Sequence, residues 1–238
     1  MTKAPATRSF ELRHVQIARA AFAAIAAVMV TFSPDHSAAI GLSIFSGFAL
    51  ATGFVLLAAG WLVYTVDTRW STVGLGSLFV IAGLLAGVAQ LRTVPMFFVI
   101  VIGWALLAGL VETITGARGL RATRGLPKTD AARSASRDAL TVGILTIALG
   151  LGLLLVPTRY ALQYTIEDAN ATFTLTGIII GVGVFGAYAA IIAVYLGIAG
   201  FSPRKRLPAT ADASGDQAAA EHPGDGPRQA ANDERGKA

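Results

Sequence analysis

One carboxylate stands out among the side chains that could do chemistry. Glu112 lies in the stretch VPMFFVIVIGWALLAGLVETITG, residues 94–116, and is its only acidic group in an otherwise uncharged hydrophobic run. Ionisable groups inside such runs hold ion pairs, relay protons or line substrate paths. A second charge, Arg19, sits about one helical turn inside the run from Val15 to Phe32, where its stem is expected to snorkel to the headgroups. His14, His36 and His222 fall on three separate polar segments without partners at metal-ligand spacing, so no metal site is expected. The absence of cysteine removes disulfides, thiolate metal sites and thiol nucleophiles together. Gln90 and Gln163 read as interfacial residues. The sequence has no phosphate-binding Walker loop, no Gly-x-Ser-x-Gly elbow, no His-Glu-x-x-His and no dinucleotide fingerprint in a strand–helix context. No catalytic residue and no cofactor is therefore expected, and the chain reads as non-enzymatic.

The elements that position Glu112 follow from composition. Of the 238 residues, 54% are hydrophobic and 14% charged, and the mean hydropathy is +0.63. Water-soluble domains carry roughly 25% charged residues, so lipid is the expected solvent. A span needs about 20 apolar residues, and six such runs are read: 15–32, 40–64, 72–91, 94–116, 139–156 and 174–200. The expected fold is an all-α membrane protein of six transmembrane helices. Dense positive charge marks the N-terminal segment 1–14, the loop 117–138 and the cluster Arg204-Lys205-Arg206. By the positive-inside rule both termini are then cytoplasmic. Within the loop, Arg118, Arg121, Arg124, Lys128, Arg133 and Arg137 are expected to set topology and meet anionic headgroups. Membrane lipids are thus the expected partners. Nucleic acid is not, because the cations lack interleaved aromatics. Residues 201–238 hold almost no large apolar side chain and read as a disordered cytoplasmic tail. Abundant arginine, alanine and glycine fit a bacterial chain, and so a plasma (inner) membrane location.

Internal similarity is the other readable feature. Segments 47–60 and 103–116 match at Gly47/Gly103, Ala49/Ala105, Leu50/Leu106, Gly53/Gly109, Val55/Val111 and Gly60/Gly116. The odd-numbered runs share a seven-residue spacing of small residues, seen at Gly76 and Gly83, at Gly143 and Gly150, and at Ala20 and Ala27. Pro34, Pro95 and Pro157 recur at similar intervals. The spans therefore read as three tandem hairpins, 15–64, 72–116 and 139–200. Lipid tails are as apolar as leucine, so membrane helices associate by close approach at small residues. These glycines are the expected packing positions. In the last span one stripe runs through Gly183, Ala190 and Gly197 and another through Gly186, Ala193 and Gly200, which places that helix between two neighbours and leaves room for a homo-oligomer.

With these motifs in place, the chain resembles the HdeD-type family of short-repeat bacterial membrane proteins. The resemblance rests on GILTIALGLGLLLVP, residues 143–157, and on IGWALLAGLVE, residues 102–112. It covers roughly 15–200 and implies six spans built from hairpins, with a link to acid resistance or stress; it transfers no site residue. A small transporter or channel for neutral or weakly polar solutes is the alternative, and a membrane-embedded enzyme a distant one. Eighteen residues from Val94 place Glu112 about 27 Å along its helix, near the cytoplasmic boundary and on the face of Ala105, Gly109 and Gly116. A structural ion pair with a nearby loop cation such as Arg118 or Arg121, or a polar cap at the helix C-terminus, is the expected role, with transport or sensing the alternative.

Overall fold

The computed structural model describes residues 11–63, 66–127, 130–166 and 171–202. Along these the elements are α1 (Leu12–Phe32), α2 (Ala38–Leu62), α3 (Val66–Gly87), a 3₁₀ turn (Ala89–Leu91), α4 (Val94–Ala122), α5 (Ala131–Leu154), β1 (Ala161–Ile166), β2 (Ala171–Thr176) and α6 (Gly177–Phe201). All six α-helices are long and apolar enough to cross a membrane, with mean hydropathies of 1.6 to 2.5 over their best windows. This is the architecture of a multi-pass integral membrane protein. The expected disordered tail falls outside the described residues, apart from its first two positions, as do most of the N-terminal segment and Lys128.

Helix ends follow local chemistry. Ser37 caps α2 by accepting from the Ile40 amide, while Asp35 accepts from the Ser37 amide and hydroxyl. Pro95 opens α4, where a missing N–H costs nothing. Asp130 caps α5 by accepting from the Ala132 and Arg133 amides. The basic segment 117–138 is consequently mostly helix: α4 runs on to Ala122 and α5 starts at Ala131, so only a short connection joins them. The expectation of one long polar loop is corrected here. Alanine, arginine and leucine in 117–122 are good helix formers, and Asp130 starts the next helix early. The 158–173 connection also differs from the expectation. An antiparallel hairpin occupies most of it and runs on to Thr176, with Ala161 paired to Thr176 and Leu162 to Leu175, so the last helix starts at Gly177 rather than at 174.

The helices form a ring in chain order, closed by α1 against α6. The most extensive packing joins α4 to α5, α2 to α3 and α1 to α6. These pairs cut across the hairpins read from the sequence, because each even helix packs closest on the odd helix that follows it. At the α2–α3 seam, a Cβ on Gly53 would come within 3.0 Å of the Gly76 carbonyl, and one on Gly83 within 3.0 Å of the Leu50 amide. At the α4–α5 seam, a Cβ on Gly109 would lie 2.9 Å from the Gly143 carbonyl, and one on Gly150 2.9 Å from Leu106. Gly60 faces Val73 as Gly116 faces Leu140. At the third seam Gly186 meets Val30 and Gly200 meets Ile17.

Not every expected packing glycine packs. A Cβ on Gly47, Gly103, Gly183 or Gly197 would meet nothing within 4 Å. The Gly183–Gly197 stripe therefore faces outward, and α6 uses only its other stripe on α1. Its second contact runs through Gly181 against Phe97 and Phe98, and through Val182 against Gly41. At mid-depth the ring is filled by aromatic side chains. Trp104 lies edge-on to Phe45 and Phe79 at 5.0 Å, with Phe48, Phe185 and Tyr188 completing the cluster. Trp104 is about 15 Å along α4 at 1.5 Å per residue, half of a hydrocarbon thickness of about 30 Å.

Candidate functional site

The site is built where α1, α4, α5 and α6 meet toward the Arg118 end of the bundle. Arg19 on α1 donates from Nη2 to Glu112 Oε1 at 2.7 Å. The two side chains are 13% and 4% exposed, which makes this a buried pair. Arg19 does not snorkel, and Glu112 is not served by Arg118 or Arg121, so both expectations are corrected. The reason is positional. Residue 19 faces the ring interior and meets Glu112 from across the ring. Arg118 and Arg121 lie on the exposed side of α4. Glu112 Oε2 accepts no hydrogen bond.

A second buried carboxylate lies close by. Asp138, expected at the edge of the basic loop, is instead buried on α5. It accepts from Gln16 Nε2 at 2.8 Å and from the Tyr195 hydroxyl at 3.2 Å. Deeper still, Thr146 donates to the Val142 carbonyl at 2.8 Å and sits 2.9 Å from the Tyr188 hydroxyl. With its own hydrogen committed, Thr146 is left to accept from Tyr188. Gln16, Asp138, Tyr195, Thr146 and Tyr188 were not singled out in the sequence. The available signal was helical spacing: Asp138, Val142, Thr146 and Leu149 recur every three or four residues on one face of α5, which marks Asp138 as part of that helix.

Three cavities adjoin this cluster. One of about 70 Å³ is lined by Arg19, Glu112, Ser71, Thr72 and Thr115 among apolar neighbours. Another of about 50 Å³ lies on the far side of Arg19, beside Gln16 and Asp138. The third, about 440 Å³, is more open; it contains Arg118 and Ser136 and shares Ser71, Thr115 and Ala139 with the first. Roughly 10–15 Å³ of such space admits one water, so the inner cavity has room for a few waters or a small polar group.

The remaining expected residues are dispersed. Arg121, Arg124 and Arg137 are exposed. Arg133 turns inward and donates to the carbonyls of Thr123, Arg124 and Leu126, which end α4 and form the turn after it. Its expected headgroup role is replaced by this cap. His14 is occupied at the start of α1, where its Nδ1 accepts from the Glu11 amide. Among the described residues no three His, Cys, Asp or Glu side chains gather as a metal site. No protein-family model, curated protein or solved structure matches the chain.

Proposed function

We propose that this chain is a non-enzymatic protein of the bacterial inner membrane, of HdeD-like type and tied to stress or acid resistance, working through helix packing or partner contacts. Both termini are cytoplasmic in this reading. The observation that carries it is the aromatic plug. Trp104, Phe45, Phe48, Phe79 and Phe185 fill the bundle at mid-depth, while the polar cavities around Glu112 lie to one side of it. A bundle closed in this way holds its helices together and offers no solute path. Supporting the orientation, Arg118, Arg121, Arg124 and Arg137 stand exposed at one end, as the positive-inside rule asks of a cytoplasmic face.

The test is flux through purified protein in vesicles, paired with acid survival of cells lacking the gene. The reading expects no uptake of glycerol or urea above empty vesicles, and survival restored by the intact chain. Solute flux would overturn it in favour of a small transporter for neutral or weakly polar solutes, which the hydroxyl-lined cavity beside Glu112 favours. Because the chain has no cysteine, single cysteines at His36 and Ser134 report sidedness directly. Labelling of Ser134→Cys from outside the cell would reverse the orientation.

A further inference from the structure

The inner cavity and its open neighbour adjoin along Ser71, Thr115 and Ala139, and their charged groups differ. Inside, the charged groups that line the cavity are Arg19 and Glu112, a single ion pair. Glu112 is almost fully buried and its Oε2 has no donor. A buried carboxylate oxygen left in that state is costly, and an N–H donor relieves it. At the mouth the charged group is Arg118, exposed, with the Ser136 hydroxyl beside it. One carboxylate oxygen, Glu112 Oε2, is therefore left without a donor inside, and a guanidinium stands at the opening.

Depth selects the kind of molecule. At 1.5 Å per residue from Val94, Glu112 lies about 27 Å and Arg118 about 36 Å along α4. With the far edge of the hydrocarbon set at Val94, a core of about 30 Å ends between them, which puts Arg118 at headgroup level and Glu112 just within. A ligand matching both ends carries an anion outside and, a few bonds inward, a group with N–H donors. We infer that this pair of cavities binds the ethanolamine phosphate headgroup of a membrane lipid, with the ammonium on Glu112 Oε2 and the phosphate at Arg118. The rise of about 9 Å between the two positions is spanned by such a headgroup with one charge-assisted hydrogen bond of about 2.8 Å at each end. Thr115, which lines the same cavity, offers a further hydroxyl oxygen to the ammonium. Ala139, which lines both cavities, presents only a methyl group where they adjoin. A choline headgroup has no N–H to give Oε2, and a glycerol headgroup brings no positively charged donor to it.

The full chain in maltoside micelles is heated with equal amounts of short-chain phosphatidylethanolamine, phosphatidylcholine or phosphatidylglycerol, or with soluble phosphoethanolamine. The ethanolamine lipid is expected to raise Tm by several degrees and the other three to leave it nearly unchanged. Glu112→Gln should abolish the shift. Since that change also breaks a buried pair, Arg118→Gln at the exposed mouth and Ala139→Leu where the cavities adjoin serve as independent variants, and each should lose most of it. Equal protection by the choline or glycerol lipid overturns the inference, as does a full shift retained by both Arg118→Gln and Ala139→Leu. A full shift with soluble phosphoethanolamine overturns the lipid as ligand and assigns the cavities to a free zwitterion.

Discussion

Removing either member of the Arg19–Glu112 pair strands the other inside the bundle. The separation is 2.7 Å, with the side chains 13% and 4% exposed. At an effective dielectric of about 20, charges near 4 Å apart attract by about 4 kcal/mol. Breaking a buried pair costs about 3–5 kcal/mol, because the survivor stays buried without compensation. Arg19→Leu and Glu112→Leu are therefore each expected to destabilise the bundle by about 3–5 kcal/mol. The double variant should recover most of that loss, since an apolar pair of similar volume carries no stranded charge. Reversible unfolding of the four proteins in mixed detergent micelles closes the cycle. A coupling of about 2 kcal/mol or more is the expected result, within the range for residues in direct contact. Losses below about 1 kcal/mol that simply add would mean a solvated pair, and would refute the argument from burial.

The glycines separate into two classes with opposite expectations. Gly143→Ala places its Cβ 2.5 Å from the Thr113 amide and 2.8 Å from the Gly109 carbonyl, both rigid backbone, and should cost about 1–3 kcal/mol of unfolding free energy as the helices part. Gly103→Ala meets nothing within 4 Å and should be neutral or stabilising by up to about 1 kcal/mol, since alanine is the better helix former. Equal melting shifts for the two would sink the seam assignment. Trp104→Ala empties the aromatic centre and is expected to cost about 3–5 kcal/mol; near-UV circular dichroism should lose its aromatic signal well before heating. Arg133→Ala removes three hydrogen bonds to carbonyls at the end of α4 and the turn beyond it, so trypsin should cut after Arg124 faster while overall Tm changes little.

Sequence by itself determined what depends on neighbours along the chain. Apolar runs of sufficient length, bounded by Pro34, Pro95 and charged stretches, located all six helices, because span length is a property of one segment against lipid. It also located Glu112 on the Gly109–Gly116 face of α4. The hairpin at 161–176 is different: Ala-Thr-Phe-Thr-Leu-Thr over 171–176 alternates with a strand period, but its end runs straight into an apolar helix, so by hydropathy 174–176 belongs to the last span.

Only the tertiary structure decided partners. Gly103 and Gly109 share one helix and similar surroundings in sequence, yet one faces open space and the other a carbonyl. A glycine permits close approach without specifying which helix will come. The same holds for Glu112, whose partner Arg19 lies 93 residues away, farther along the chain than Arg118 but nearer in space. Helix periodicity sets the direction in which a side chain points, while the order of the ring sets what it meets. That order places Arg19 and Glu112 together inside the bundle, beside a small cavity that Ser71, Thr115 and Ala139 also line.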